Sequence, residues 1–116
     1  MQWAGTRLRN LLHNVHYGVY NVFMKITGLI WLDYIVDKLD WKHHLSSTEV
    51  EQVFSSNPQY RFLERGEIEG EHVYSAYGRT HSGRYVTVIF IHKAGAQALI
   101  ISARNMNKRE RKQYGR

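Results

Sequence analysis

Hydrophobic and polar residues follow two different rhythms along this chain, and the change falls at Asn57-Pro58. Before it the spacing is helical. Leu8, Leu11 or Leu12, Val15, Val19 and Val22 recur about once a turn, with Arg7, Arg9, Asn10 and Asn14 off that stripe, which predicts at best an amphipathic helix weakened by Gly18. Ile26 to Trp31 reads as a short strand interrupted by Gly28. Tyr34, Ile35, Val36, Leu39 and Trp41, set among Asp37, Lys38, Asp40 and Lys42, predict a helix with Asp33 as its cap. Lys42-His43-His44 closes that helix with basic side chains, where the helix dipole favours positive charge. Ser46 or Ser47 opens a second helix, Glu49 standing three residues after Ser46 in the spacing of a capping box. Its apolar face is Val50, Val53 and Phe54, and Asn57-Pro58 ends it.

After Pro58 the period shortens to two. Gln59 to Arg65 predicts a strand, Gly66 to Gly70 a turn, and His72 to Arg79 a strand with two usable faces. Thr80-His81-Ser82-Gly83 predicts a hairpin loop. Arg84 to Lys93 is nearly all apolar from Val86 to Ile91, the pattern of a central strand covered on both sides. Ala94-Gly95-Ala96 turns the chain into a last strand around Leu99-Ile100-Ile101, which runs directly into a basic helix capped by Asn105 or Asn107. The expected fold is α+β: N-terminal helices, an antiparallel sheet of about four strands and a C-terminal basic helix. Residues 24–116 form the expected domain, and 1–23 an extension, read as upstream sequence translated from an earlier start.

Charge adds a second pattern. Residues 1–25 hold three basic and no acidic groups, 26–103 seven basic against nine acidic, and 104–116 six basic against one acidic. The body of the domain is mildly acidic and its C-terminal helix strongly basic, a distribution that attracts phosphate at long range and weakens with salt. In that helix Lys108, Arg109, Arg111 and Lys112 occupy several faces, leaving Met106 and Tyr114 as the residues able to pack inward. A solvated face that serves solubility is the plainer reading of the same charges. With no cysteine there is no disulfide framework, thiolate metal site or cysteine nucleophile, which fits a reducing, cytoplasmic setting. The apolar runs fall short of a membrane span.

Phosphate-loop, His-Glu-x-x-His and serine-elbow signatures are absent. His43 and His44 are adjacent, so their side chains diverge on a helix and make a poor metal pair; His72, His81 and His92 would have to join His43 through tertiary contact. Neither a metal nor another cofactor is expected. His43 is the best candidate for proton transfer, since imidazole titrates near neutrality, and a helix-end histidine bonded to free carbonyls is its structural alternative. Arg79, Arg84 and Arg104 fall at or near strand ends, where they could converge on one phosphate, or else serve as surface or salt-bridged arginines. Tyr114 is a candidate to stack on a base or donate a proton, or to anchor its helix on the sheet. Lys42, Lys108, Arg109, Arg111 and Lys112 are candidate phosphate contacts. Glu110 could orient Arg104 or Arg84, or pair within its own helix.

Two stretches carry a family resemblance. Ile100-Ile101-Ser102-Ala103-Arg104, followed by Arg109-Glu110-Arg111 and Tyr114, resembles the C-terminal signature of the BrnT toxins of bacteria, and Lys42 to Phe54 resembles that family's Lys-His-Gly segment and the helix after it. Gly78-Arg79 to Gly83-Arg84-Tyr85 and the apolar strand behind them are similar to the family's middle, so the likeness spans about Ile26 to Arg116. His44 stands where the family has glycine. The resemblance implies a RelE-like fold and a metal-independent endoribonuclease that cleaves messenger RNA, arrests translation and growth, and is neutralised by a BrnA-like antitoxin. It also implies operator DNA as a partner only of the toxin-antitoxin complex. A non-catalytic nucleic-acid-binding or regulatory protein, or an inactivated toxin homologue, are the alternative expectations.

Overall fold

The computed structural model describes residues 23–115. The extension expected at residues 1–23, with its amphipathic helix, lies outside the described residues except for Phe23, as does Arg116. In chain order the elements are β1 (Gly28–Ile30), α1 (Asp33–His43), α2 (Ser47–Ser55), β2 (Gln59–Glu64), β3 (Val73–Arg79), β4 (Tyr85–Lys93), β5 (Gln97–Asn105) and α3 (Lys108–Gln113).

The four strands after Pro58 form the expected antiparallel meander, and β1 joins it as a fifth, parallel to β5. The sheet is therefore mixed, in the order β1-β5-β4-β3-β2. β1 and β2 lie at opposite edges, so the α1–α2 pair that connects them must cross one face of the sheet, and it covers that face. Ile35, Leu39, Val50 and Val53 from the helices meet Ala76, Val86, Val88, Phe90, Ala98, Ile100 and Ala103 from the strands in one core. Phe90, wholly buried, is ringed by Phe54, Tyr60 and Tyr74 with ring centroids 5.5, 6.0 and 5.9 Å away. Burial pushes the Tyr60 hydroxyl up to about 12. Gly78 lets α2 rest directly on β3, because a Cβ there would lie 2.9 Å from Val53 Cγ1.

Local signals set the helix ends. Ser46 accepts from the Glu49 N–H at 3.1 Å while Glu49 Oε1 accepts from the Ser46 N–H at 3.0 Å, the anticipated capping box. Asn107 rather than Asn105 caps α3, in a second such box with Glu110. Asp33 is not a cap: Leu32 holds that position without a side-chain bond, and Asp33 lies in the first turn, where its charge still meets the helix dipole. Two packing expectations also change. Tyr34 and Trp41 of α1 are 66% and 70% exposed rather than part of its apolar face. In α3 the buried residue is the acid Glu110, with Met106 and Tyr114 half-buried.

β4 is central, but its two faces differ. Val86, Val88 and Phe90 are fully buried on the helix side; on the other, Thr87 is buried against Glu110 while Ile89 and Ile91 are half-buried. Continuous hydrophobicity in this strand thus coexists with a polar end that α3 covers.

Candidate active site

α1 stops at His43 because His44 adopts a left-handed conformation (φ 53°, ψ 42°) and turns the chain. Its N–H donates back to the Asp40 oxygen at 3.0 Å, and the Leu45 N–H to the Leu39 oxygen at 3.1 Å. The carbonyls of His43 and His44 then point past the helix end, and Arg84 takes both: Nη2 donates to His43 at 2.7 Å and Nη1 to His44 at 2.6 Å. Arg84 Nε donates to Asn105 Oδ1 at 2.8 Å, and Nη1 lies 3.6 Å from Glu49 Oε2. One guanidinium thereby ties the end of α1 to the start of α2 and the end of β5. The geometry makes Arg84 the clamp on which the His43 backbone sits.

Half-buried at this turn, His43 is surrounded by cations. Partial burial, then Lys42, Lys38, Arg104 and Arg84, hold its imidazole below the usual 6.5. Neutral imidazole at pH 7 can accept a proton. Lys42 is exposed beside it.

Arg104 points to a different partner. Its Nη1 and Nη2 donate to the two carboxylate oxygens of Glu110 at 2.7 and 2.9 Å, and Thr87 Oγ1 and the Asn107 N–H donate to Glu110 Oε1, each at 2.9 Å. Burial would push the Glu110 carboxyl up, but these bonds from Arg104, Asn107 and Thr87 outweigh it and hold it below its ordinary value. The same face of the sheet carries Arg61 and Tyr77, both nearly buried, with the Arg61 carbon 5.0 Å from the Tyr77 ring centroid and Nη2 donating to the Gln113 oxygen at 3.1 Å. A polar layer beneath α3 results.

Arg79 belongs to a third group. It lies across from Tyr85 in the β3–β4 ladder, its guanidinium carbon 4.5 Å from the Tyr85 ring centroid. Arg111 lies 3.6 Å from the same centroid, and Tyr114 meets that ring edge-on at 5.8 Å. Lys108, Arg109 and Lys112 are exposed on α3, and none makes an ion pair among the described residues.

The structure therefore brings His43 together with Arg84 and within electrostatic reach of Arg104, and gathers Arg79, Arg111 and Tyr114 on Tyr85. It does not give the three strand-end arginines one shared partner. Tyr85, Thr87, Tyr77 and Arg61 were not foreseen in the sequence. The signal that could have found them is the alternation of Tyr85 and Thr87 with Val86 and Val88, which puts hydroxyl-bearing side chains on the face away from α1 and α2. No group of three or more His, Asp or Glu that could hold a metal occurs among the described residues.

The model of the family described as ribonuclease toxin, BrnT, of type II toxin-antitoxin system, matches residues 38–110. The chain belongs to the BrnT family. That span takes in His43, Arg79, Arg84, Arg104 and Glu110, and ends before Arg111 and Tyr114. The fold is similar to that of the Brucella abortus ribonuclease toxin BrnT, known from a crystal structure at 1.1 Å resolution, with a TM-score of 0.51 and 18% identity over 71% of this chain and 99% of that one. Comparison with curated proteins finds no match. In this BrnT chain the mixed five-stranded sheet, the helices on one face and the short basic helix on the other are the frame that presents the His43 turn.

Proposed function

We propose that this BrnT-family protein cleaves messenger RNA without a metal ion and that His43 handles the proton. In this reading the imidazole takes the proton of a ribose 2′-hydroxyl as that oxygen attacks the neighbouring phosphorus. The bond to the 5′ oxygen breaks, and that oxygen is protonated as it leaves. Lys42 and Arg104 supply positive charge where the phosphoryl oxygens become more negative, and Arg84 keeps His43 in place. Tyr114 is the remaining proton-donor candidate. The observation that carries the proposal is the His43 turn itself, its backbone clamped by Arg84 at 2.7 Å and its imidazole held below the usual 6.5 by partial burial and then by Lys42, Lys38, Arg104 and Arg84.

A BrnA-like antitoxin covering the basic surface, and operator DNA bound only through the resulting complex, complete the module. Among the described residues no helix is long and apolar enough to cross a membrane; we place the protein in the cytoplasm, where messenger RNA is its substrate. The test is induction in a bacterial host with and without the antitoxin while growth and RNA integrity are followed, then cleavage by purified protein in a chelator. Arrest with RNA loss that the antitoxin reverses, and cleavage unaffected by chelation, are expected; intact RNA with normal growth excludes the proposal.

The exposed cations of α3 favour one other reading, a nucleic-acid binder without catalysis. It predicts that His43→Gln leaves toxicity unchanged.

A further inference from the structure

Two arginines rest on one tyrosine at the end of the sheet. The guanidinium carbons of Arg111 and Arg79 lie 3.6 and 4.5 Å from the Tyr85 ring centroid, and neither side chain makes an ion pair among the described residues. The only hydrogen bond of Arg79's side chain among them is from Nη2 to the Gly83 oxygen at 3.3 Å. Room for it is left by Gly83 itself, where a Cβ would stand 3.0 Å from that nitrogen. Both charges sit within about 8 Å of each other, inside a Debye length at physiological salt, and repel. A guanidinium resting on a ring spends its flat face and keeps its N–H edge for an anion.

We infer that Arg79, Tyr85 and Arg111 form a second phosphate subsite for single-stranded RNA, separate from the His43 turn. The inference rests on the ribonuclease reading above and extends it. Tyr85 follows Arg84 in β4, and successive strand side chains point to opposite faces. Arg84 reaches α1 on one face while Tyr85 meets Arg111 of α3 on the other, so the two sites lie on either side of the sheet end. An RNA that occupies both must therefore pass round the end of the sheet. A flexible single strand does this, whereas a stiff duplex does not. A forked phosphate contact suits such a strand, since guanidinium forks hold the backbone and the ring beneath them keeps both forks in place.

The test uses the full chain and a short single-stranded RNA made resistant to cleavage by 2′-O-methylation, with fluorescence anisotropy read across a salt series. Arg79→Gln and Arg111→Gln are each expected to weaken binding about tenfold and to lower the salt slope by about one, the signature of a lost phosphate contact. Tyr85→Leu, which leaves both charges but no ring, is expected to weaken binding less and keep the slope. The same RNA in a duplex is expected to bind more weakly than the single strand. With cleavable RNA, the two arginine variants raise the half-saturating concentration, whereas His43→Gln lowers the maximal rate. Arginine variants that bind RNA like the parent overturn the subsite and leave the ribonuclease reading standing if His43→Gln still abolishes cleavage. If those variants instead lose affinity only for an acidic peptide such as polyglutamate, the cluster is a protein-docking site and the inference fails. A parent protein that neither binds nor cleaves RNA removes both.

Discussion

Arg84 and His43 are joined through the backbone: Arg84 Nη2 donates to the His43 carbonyl oxygen at 2.7 Å, while Nη1 of the same guanidinium holds the next carbonyl, that of His44, at 2.6 Å. A planar fork is needed to reach both oxygens and Asn105 at once. Arg84→Gln is expected to cost about 1–2 kcal/mol, since charge-assisted hydrogen bonds at a partly exposed site are lost, and to slow RNA cleavage at least tenfold on the order expected for a misplaced catalytic group. Arg84→Lys restores charge but not the fork, so it should rescue little of either. Thermal unfolding and a cleavage assay on both variants read this out.

His44 sits at φ 53°, in the left-handed region that glycine enters freely. A left-handed conformation costs an L-residue about 1–2 kcal/mol, partly offset by the extra freedom that glycine has in the unfolded chain. His44→Gly is therefore expected to stabilise the protein by about 0.5–1 kcal/mol. A denaturant melt decides it: a midpoint at or below that of the parent would show that the His44 side chain makes up for its backbone.

Glu110 is 8% exposed and its two oxygens accept from Arg104, Thr87 and Asn107. Glu110→Ala should cost about 2 kcal/mol, less than a fully buried pair because the Arg104 side chain is partly open to water. The folded carboxyl titrates below its unfolded value, so its contribution is present above the unfolded pKa and disappears as pH falls through the folded one. Parent stability should accordingly drop in the acid range beneath 4.5, and Glu110→Gln should flatten that decline. Urea midpoints at stepped pH provide the comparison.

Cleavage that depends on neutral His43 is retained above the histidine's pKa and lost as pH falls through it. Partial burial and then the neighbouring Lys42, Lys38, Arg104 and Arg84 set that pKa below 6.5, so the acid limb of the rate profile should inflect below that value. Lys42→Gln removes a repelling charge, raises the pKa and should move the limb to higher pH. A limb that stays in place would assign the titration to another group.

Much of the architecture was legible because it rests on short-range physics. The change from helical to alternating spacing at Pro58, the Ser46–Glu49 capping box, the hairpin at Thr80–Gly83 and the strand leading into a basic helix all involve neighbours in sequence. Where two residues offered the same chemistry, as Asn105 and Asn107 did for the α3 cap, the sequence left a choice. Glu110 shows a different gap. Its pairing with Arg104 was among the partners its position allowed, but its burial was not legible, because that depends on Thr87 meeting it from the sheet as well.

Spacing along the chain set the elements, their order, most of the apolar core faces and the concentration of positive charge at the C-terminal end. Tertiary structure alone decided that β1 runs parallel to β5, that Arg84 clamps His43 from 41 residues away, and that Arg79 and Arg111 share Tyr85. The reason is physical: an arginine donates to any carboxylate or carbonyl within reach and rests on any ring, and strand register selects among them. A slip of one residue would turn each of these side chains to the other face of the sheet.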